Sequence, residues 1–123
     1  MKTNPTILVI EDDIALNEAY KTILETAGHT VEVAFNGEEA VEVAKRVEPS
    51  IIFLDLRMPV LDGIGFLKKY QPKKNNPDAH IVVFSNYDMQ AEVDEAYGLG
   101  AERYVLKAWA SPKELLKIVD DLS

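Results

Sequence analysis

Ser50-Ile-Ile-Phe-Leu-Asp-Leu-Arg-Met-Pro-Val-Leu-Asp-Gly63 is the stretch that decides how this chain is read. An apolar run, Ser50–Leu54, ends in a carboxylate, Asp55, and passes at once into residues that end regular structure. A second apolar run, Ile7-Leu-Val-Ile10, finishes the same way, in Glu11-Asp12-Asp13. Two buried strands that each end in acids can bring those acids to one sheet edge, and open α/β sheets place their ligand sites at the carboxyl ends of strands. Clustered acids resist joint ionisation unless a cation compensates them. An all-oxygen donor set favours a hard cation such as Mg²⁺. Asp55 therefore reads as a carboxylate that is used chemically.

Outward from these two runs, short apolar segments alternate with helical periodicity. Ile7–Ile10 is strand one. Asp13 caps a helix with Leu16, Ala19, Ile23, Leu24 and Ala27 inward, ended by Gly28. Thr30–Ala34 is strand two, and Asn36-Gly37 starts a helix with Ala40, Val41, Ala44 and Val47 inward, stopped near Pro49. Ser50–Leu54 is strand three and Ile64–Tyr70 a short helix. Gln71–Asp78, rich in Pro and Asn, reads as a surface loop. Ile81–Phe84 is strand four. Asp88 caps a weakly apolar helix with Val93 and Ala96 inward, ending near Gly98-Leu-Gly100. Arg103–Leu106 is strand five. Ser111-Pro-Lys-Glu114 is a capping box with Pro at the first helical position, opening a last helix with Leu115, Leu116, Val119 and Leu122 inward. The sum is an α/β fold, (βα)₅, a doubly wound parallel sheet with helices on both faces. Periodicity leaves the strand order open.

At 123 residues the chain reads as a single domain, 1–123. A net charge of −8 argues against a broad nucleic-acid footprint and against anionic membrane surfaces. The absence of cysteine excludes disulfides and thiolate metal sites. The polar N-terminus is no signal-peptide core, and no apolar run approaches the length of a membrane helix, so the expected location is cytoplasmic.

Four segments, each at an expected strand end, resemble the receiver domain of two-component response regulators: Ile-Leu-Val-Ile-Glu-Asp-Asp, Phe-Leu-Asp-Leu-Arg-Met-Pro-Val-Leu-Asp-Gly, Val-Phe-Ser-Asn and Gly-Ala-Glu-Arg-Tyr-Val-Leu-Lys. The resemblance spans essentially the whole chain. It implies a flavodoxin-like sheet of order 2-1-3-4-5, whose switch point would bring Glu11, Asp12 and Asp55 together. It also implies that Asp55 is the phosphoryl acceptor. Glu11 and Asp12 hold Mg²⁺, Asp12 more directly, and Arg57 offers its backbone carbonyl. Ser85 is the switch hydroxyl, Lys107 the counter-ion to phosphoryl oxygens, and Tyr104 the aromatic switch. Asp13 remains an ordinary helix-terminal acid.

The function implied is a phosphorylation-dependent switch, catalysing only its own phosphorylation and dephosphorylation. A sensor histidine kinase or phosphotransfer protein donates, and a face near helix four, strand five and helix five changes its affinity for a downstream protein. A phosphorylation-linked homodimer is a further expectation. Two alternatives stand beside it. A pseudo-receiver that works unphosphorylated is disfavoured by the intact Asp12, Asp55, Ser85 and Lys107. A haloacid-dehalogenase-type phosphatase needs a second Asp two residues after its nucleophile on the first strand, which Glu11-Asp12-Asp13 does not supply. The chain departs from the family pattern after Lys107, where Ala108-Trp109 replaces Pro and an aromatic, so the course of that loop stays open. Arg57 and Tyr87 are bulky beside the acceptor, and both are expected to rim the cleft and slow loss of the phosphoryl group. No output domain follows the last helix, so the chain either acts alone or is one part of a longer regulator.

Overall fold

The apolar runs pair in parallel because each is flanked by a helix that carries the chain back to the start of the next strand. A computed structural model describes residues 6–86 and 88–123. Its strands are β1 (Thr6–Ile10), β2 (Thr30–Ala34), β3 (Ile51–Asp55), β4 (His80–Ser85) and β5 (Arg103–Leu106), in the order β2-β1-β3-β4-β5. The helices are α1 (Ile14–Thr26), α2 (Gly37–Val47), α3 (Gly63–Tyr70), α4 (Gln90–Gly98) and α5 (Pro112–Leu122). The fold class and strand order are those implied by the resemblance.

Alternate residues along the central strands face two separate cores, as the period-two geometry of a strand dictates. Leu8, Ile10, Ile52, Leu54, Ile81 and Val83 pack with α2, α3 and α4. Ile7, Val9, Ile51, Phe53, Val82 and Phe84 pack with α1 and α5. Phe84 stacks between Tyr20 and Phe53, with ring centroids 5.5 Å away on each side. Register aligns the strand ends: Ile10 lies opposite Leu54, and Asp55 opposite Phe84. The acids that follow β1 and end β3 therefore meet at one edge, where the order reverses between these strands.

Side-chain caps start four helices: Asp13 accepts from Leu16 N–H, Asn36 from Glu39 N–H, Asp62 from Gly65 N–H and Ser111 from Glu114 N–H. The capping box at Ser111 is half formed, because the Ser111 N–H donates to the Trp109 carbonyl at 2.9 Å. Three other expectations are corrected. The buried face of α1 is Asn17, Tyr20 and Leu24, with Leu16 and Ile23 partly buried, while Ala19 and Ala27 are exposed. Asp88 does not cap α4; the buried Met89 occupies that position without a side-chain hydrogen bond, so burying an apolar side chain displaces a cap. Within the expected loop, Pro72–Asn75 forms one helical turn, anchored by Asn75 Nδ2 on the Tyr70 carbonyl and Asn76 Nδ2 on the Pro49 carbonyl.

Asn17 is fully buried, and its amide donates to the Glu11 carbonyl at 3.0 Å and the Ala34 carbonyl at 3.1 Å. One side chain thus ties α1 to the ends of β1 and β2. Asn17→Leu keeps the volume but leaves the Glu11 carbonyl without this donor. It should cost about 1–3 kcal/mol in urea denaturation; an unchanged midpoint would show that the tie carries no stability.

Candidate functional site

Strand ends and the loops after them deliver every side chain of the site. Glu11 follows β1 and is 1% exposed; Asp55 ends β3 and is 3% exposed. Asp12, next to Glu11, is exposed. One carboxylate oxygen from each of Glu11, Asp12 and Asp55 lies within 4.8 Å of the others. Lys107, directly after β5, reaches across to donate to Asp55 Oδ2 at 3.1 Å, and its Nζ is 2.9 Å from Glu11 Oε1. The second contact is an ion pair, and Glu11 Oε1 has no partner other than this ammonium among the described residues. The other Glu11 oxygen accepts from Asp13 N–H, and Asp55 Oδ1 accepts from Arg57 N–H at 3.3 Å.

Burial sets the electrostatics. Desolvation pushes the Glu11 carboxyl from its ordinary 4.5 up to about 7; Lys107 and the Asp13 N–H oppose this, and Asp55 adds to it. Burial alone would lower the Lys107 ammonium, but the carboxylates of Glu11 and Asp55 outweigh it and hold the lysine above its ordinary range. Lys107 is therefore the resident cation of an acid cluster that wants more positive charge. The donor set fits a hard divalent cation: three carboxylates converge, all ligands are oxygen, and one ammonium is shared between two buried acids.

Ser85, at the end of β4, is 1% exposed, and its Oγ has no hydrogen-bond partner among the described residues. A cavity of about 280 Å³ lies beside it, walled by Leu106, Lys107 and Ala108. Tyr104 does not fill that space; its ring is 44% exposed and packs edge-on against Tyr97 at 6.5 Å. The segment after Lys107 is one 3₁₀ turn, Lys107–Trp109, and no peptide bond among the described residues is cis.

The loop between β3 and α3 is clamped at two glycines. A Cβ on Gly63 would lie 2.7 Å from the Asp55 carbonyl, and one on Gly37 would lie 2.3 Å from the Leu61 carbonyl, to which the Gly37 N–H donates at 2.8 Å. Between the clamps, Val60 has φ 69° and sits inside a three-residue turn closed by Leu61 N–H to the Pro59 carbonyl. A β-branched residue is strained there. Sequence reading misses the burial of Asn17 and the contact of Gly37, the expected helix start, with the β3–α3 loop. The signal for Asn17 was available, because Asn17, Tyr20 and Leu24 repeat at helical spacing. Gly37 makes a contact with a loop distant in sequence, which no local pattern reports. The Arg57 guanidinium is exposed and makes no ion pair among the described residues; Tyr87, the other expected rim residue, lies outside the described residues.

The profile of the family described as response regulator receiver domain matches residues 7–120. Chemotaxis protein CheY of Thermotoga maritima is 33% identical over 118 residues, covering 95% of this chain and 96% of that protein. Nitrate/nitrite response regulator protein NarL of Escherichia coli is 37% identical over 114 residues, covering 91% of this chain and 51% of that protein. The chain spans about half the length of NarL and 44% of the probable transcriptional regulator ycf27 of Porphyridium aerugineum. Among solved structures, the receiver domain of the Francisella response regulator 1452 superposes with a TM-score of 0.83 at 33% identity, covering 97% of this chain and 96% of that one. Chemotaxis protein CheY4 of Vibrio cholerae gives 0.88 at 25% identity, covering 98% and 100%.

Two outcomes follow from the geometry. Asp12→Ala should weaken Mg²⁺ binding far more than Asp13→Ala, because the Asp13 carboxylate is engaged as the cap of α1; calorimetric titration gives the comparison, and equal losses would contradict the placement. A raised Glu11 carboxyl stabilises the metal-free fold below its ordinary 4.5, and that contribution is lost as pH rises through about 7. The gain in thermal midpoint on adding Mg²⁺ should therefore be larger at about pH 8 than at about pH 5, where protons compete for the cluster. Equal gains at both would contradict the coupling.

Proposed function

The chain belongs to the response regulator receiver domain family of two-component systems, and on that premise we propose that it is a phosphorylation-dependent switch with Asp55 as the acceptor. The observation that carries this is the placement of Asp55. It is buried at the switch point between β1 and β3, with Lys107 on one oxygen and the Glu11–Asp12 pair within ligand distance. Phosphorylation and Mg²⁺ binding are typical of this family.

In the proposed step an Asp55 oxygen attacks the phosphorus of a phosphohistidine. The new O–P bond forms as the P–N bond breaks, and the imidazole leaves with the electron pair. Mg²⁺, when bound, would neutralise and align the transferring group. It would be held by Asp12, Asp55 and the Arg57 carbonyl, with Glu11 acting through water. Lys107 already donates to Asp55 Oδ2, so a short shift gives its ammonium to a phosphoryl oxygen. The Ser85 hydroxyl, buried and unpartnered, is a ready second donor. If Ser85 moves toward the phosphoryl group, the adjacent cavity gains room for Tyr104 to turn inward and change the surface around β5.

A protein donor fits better than a small one. Ile14, Val60 and Trp109, from 65 to 75% exposed, stand on three different segments at the same sheet edge as Asp55. Apolar side chains around the site offer contacts that a protein donor can use and a small phosphate ester cannot. The partners proposed are thus a histidine kinase or phosphotransfer protein and a downstream protein reading the α4–β5–α5 side. No helix among the described residues is long and apolar enough to cross a membrane, which accords with a cytoplasmic switch.

With Mg²⁺ and acetyl phosphate, the intact protein should gain the mass of one phosphoryl group, and Asp55→Asn should abolish the gain. Asn keeps the shape and lacks the nucleophile. Tyr104→Ala should still be labelled, since that ring touches no reacting atom. Undiminished labelling of Asp55→Asn would overturn the assignment.

A further inference from the structure

Charge is segregated in this chain. Residues 45–74 hold seven of its thirteen Lys and Arg but three of its twenty-one acids. Six of those cations sit in the last turns of α2, of α3 and of the Pro72–Asn75 turn: Lys45, Arg46, Lys68, Lys69, Lys73 and Lys74. These helix ends lie at the opposite sheet edge from Asp55. Basic residues there complement the negative ends of helix dipoles, but each dipole end amounts to about half a charge. Four of the six are otherwise engaged: Arg46 with Glu32, Lys68 with Glu95, Lys69 loosely with Glu38 at 3.9 Å, and Lys73 on the Gly98 carbonyl. Lys45 and Lys74 have no partner among the described residues.

Those two lysines line one cavity of about 460 Å³ together with Lys69. Gln71 and Glu48 line it as well, and both are non-glycine residues held in the left-handed region, at φ 51° and 45°. Each ends a helix where glycine would be strain-free. The chain thus keeps long polar side chains at two strained positions that share a cavity wall. Lys45 and Lys74 bring two ammonium groups to this wall and Lys69 a third held only loosely by Glu38, while Glu48 is the one carboxylate on it, so cationic side chains outnumber acids where an anion would sit. Lysine meets phosphate as a point charge, and the Gln71 amide, which has no other partner among the described residues, supplies a directional donor. The volume falls in the range of small-ligand sites.

We propose that this cavity binds a diphosphate group, free or on a small organic carrier, through Lys45 of α2, Lys74 of the turn after α3, and Lys69 between them. It is separate from the acid cluster, and it stands whether or not Asp55 accepts a phosphoryl group.

The test is titration of the intact chain with inorganic pyrophosphate and, separately, with ADP. It is done at physiological salt, where loose surface attraction is screened, and with a chelator present so that no divalent cation bridges to the acid cluster. Calorimetry should show one saturable site. Amide resonances of residues 45, 69, 71 and 74 should shift, while those of 11, 12 and 55 stay. Lys45→Gln with Lys74→Gln should weaken binding by about tenfold or more. Lys113→Gln with Lys117→Gln, on α5, should leave it unchanged. Equal affinity for both probes assigns recognition to the diphosphate alone, and tighter ADP binding adds a contribution from its carrier. No saturation at millimolar probe, or equal weakening by the two double variants, overturns the proposal. All four lysines are exposed, so both double variants should stay folded, with thermal midpoints lowered by no more than the few degrees that helix-end charges are worth, which excludes misfolding as the cause.

Discussion

A single ammonium group holds the functional end of this molecule together. Lys107 lies between Glu11 and Asp55, two carboxylates that are almost fully buried. Burying either acid alone would be costly, and burying both side by side more so. The lysine offsets that cost only in part, which is why the Glu11 carboxyl is pushed upward while the lysine keeps its proton. The arrangement is frustrated by construction. It is stable enough to fold and short of positive charge, so a divalent cation has a strong reason to enter.

The backbone around this cluster is arranged so that the charges do not set its geometry. Gly63 closes the β3–α3 loop back onto the Asp55 carbonyl, and Gly37 ties the same loop to the start of α2. Asn17 joins α1 to the carbonyls that follow β1 and end β2. These three contacts fix the loops without using any titrating side chain. The strain at Val60 persists because the clamps on either side over-determine the turn.

The sheet and the acid cluster were legible in the sequence because both rest on local signals. Apolar runs that end in Glu11-Asp12 and Asp55 report burial and strand direction together. The inward face of α1 was read one residue out of phase, since Asn17 looks polar and its burial depends on carbonyls at the ends of two strands. Asp88 looked like a cap because its type suits one, but the core has greater need of Met89. The turn at Pro72–Asn75 was hidden by a composition that also suits a loop. Strand order was never local information, and it came with the resemblance. The outward ring of Tyr104 and the paired clamps at Gly37 and Gly63 are likewise settled only by tertiary contacts.

Packing is unequal across the sheet. β3 is buried along its whole length, whereas β5, the edge strand that carries Tyr104 and leads to Lys107, is nowhere fully buried. The neighbouring α4 buries only Val93 and Ala96 and lacks a side-chain cap at its start. An element with few buried apolar contacts and an open terminus shifts at low free-energy cost. Asp55 sits on the stiffest strand, and its lysine partner follows the softest. By that measure β5 and α4 yield more readily than β3. The exposed rings of Tyr97 and Tyr104 lie on these two elements and pack edge to face, so the softest part of the sheet edge also carries its exposed aromatic surface.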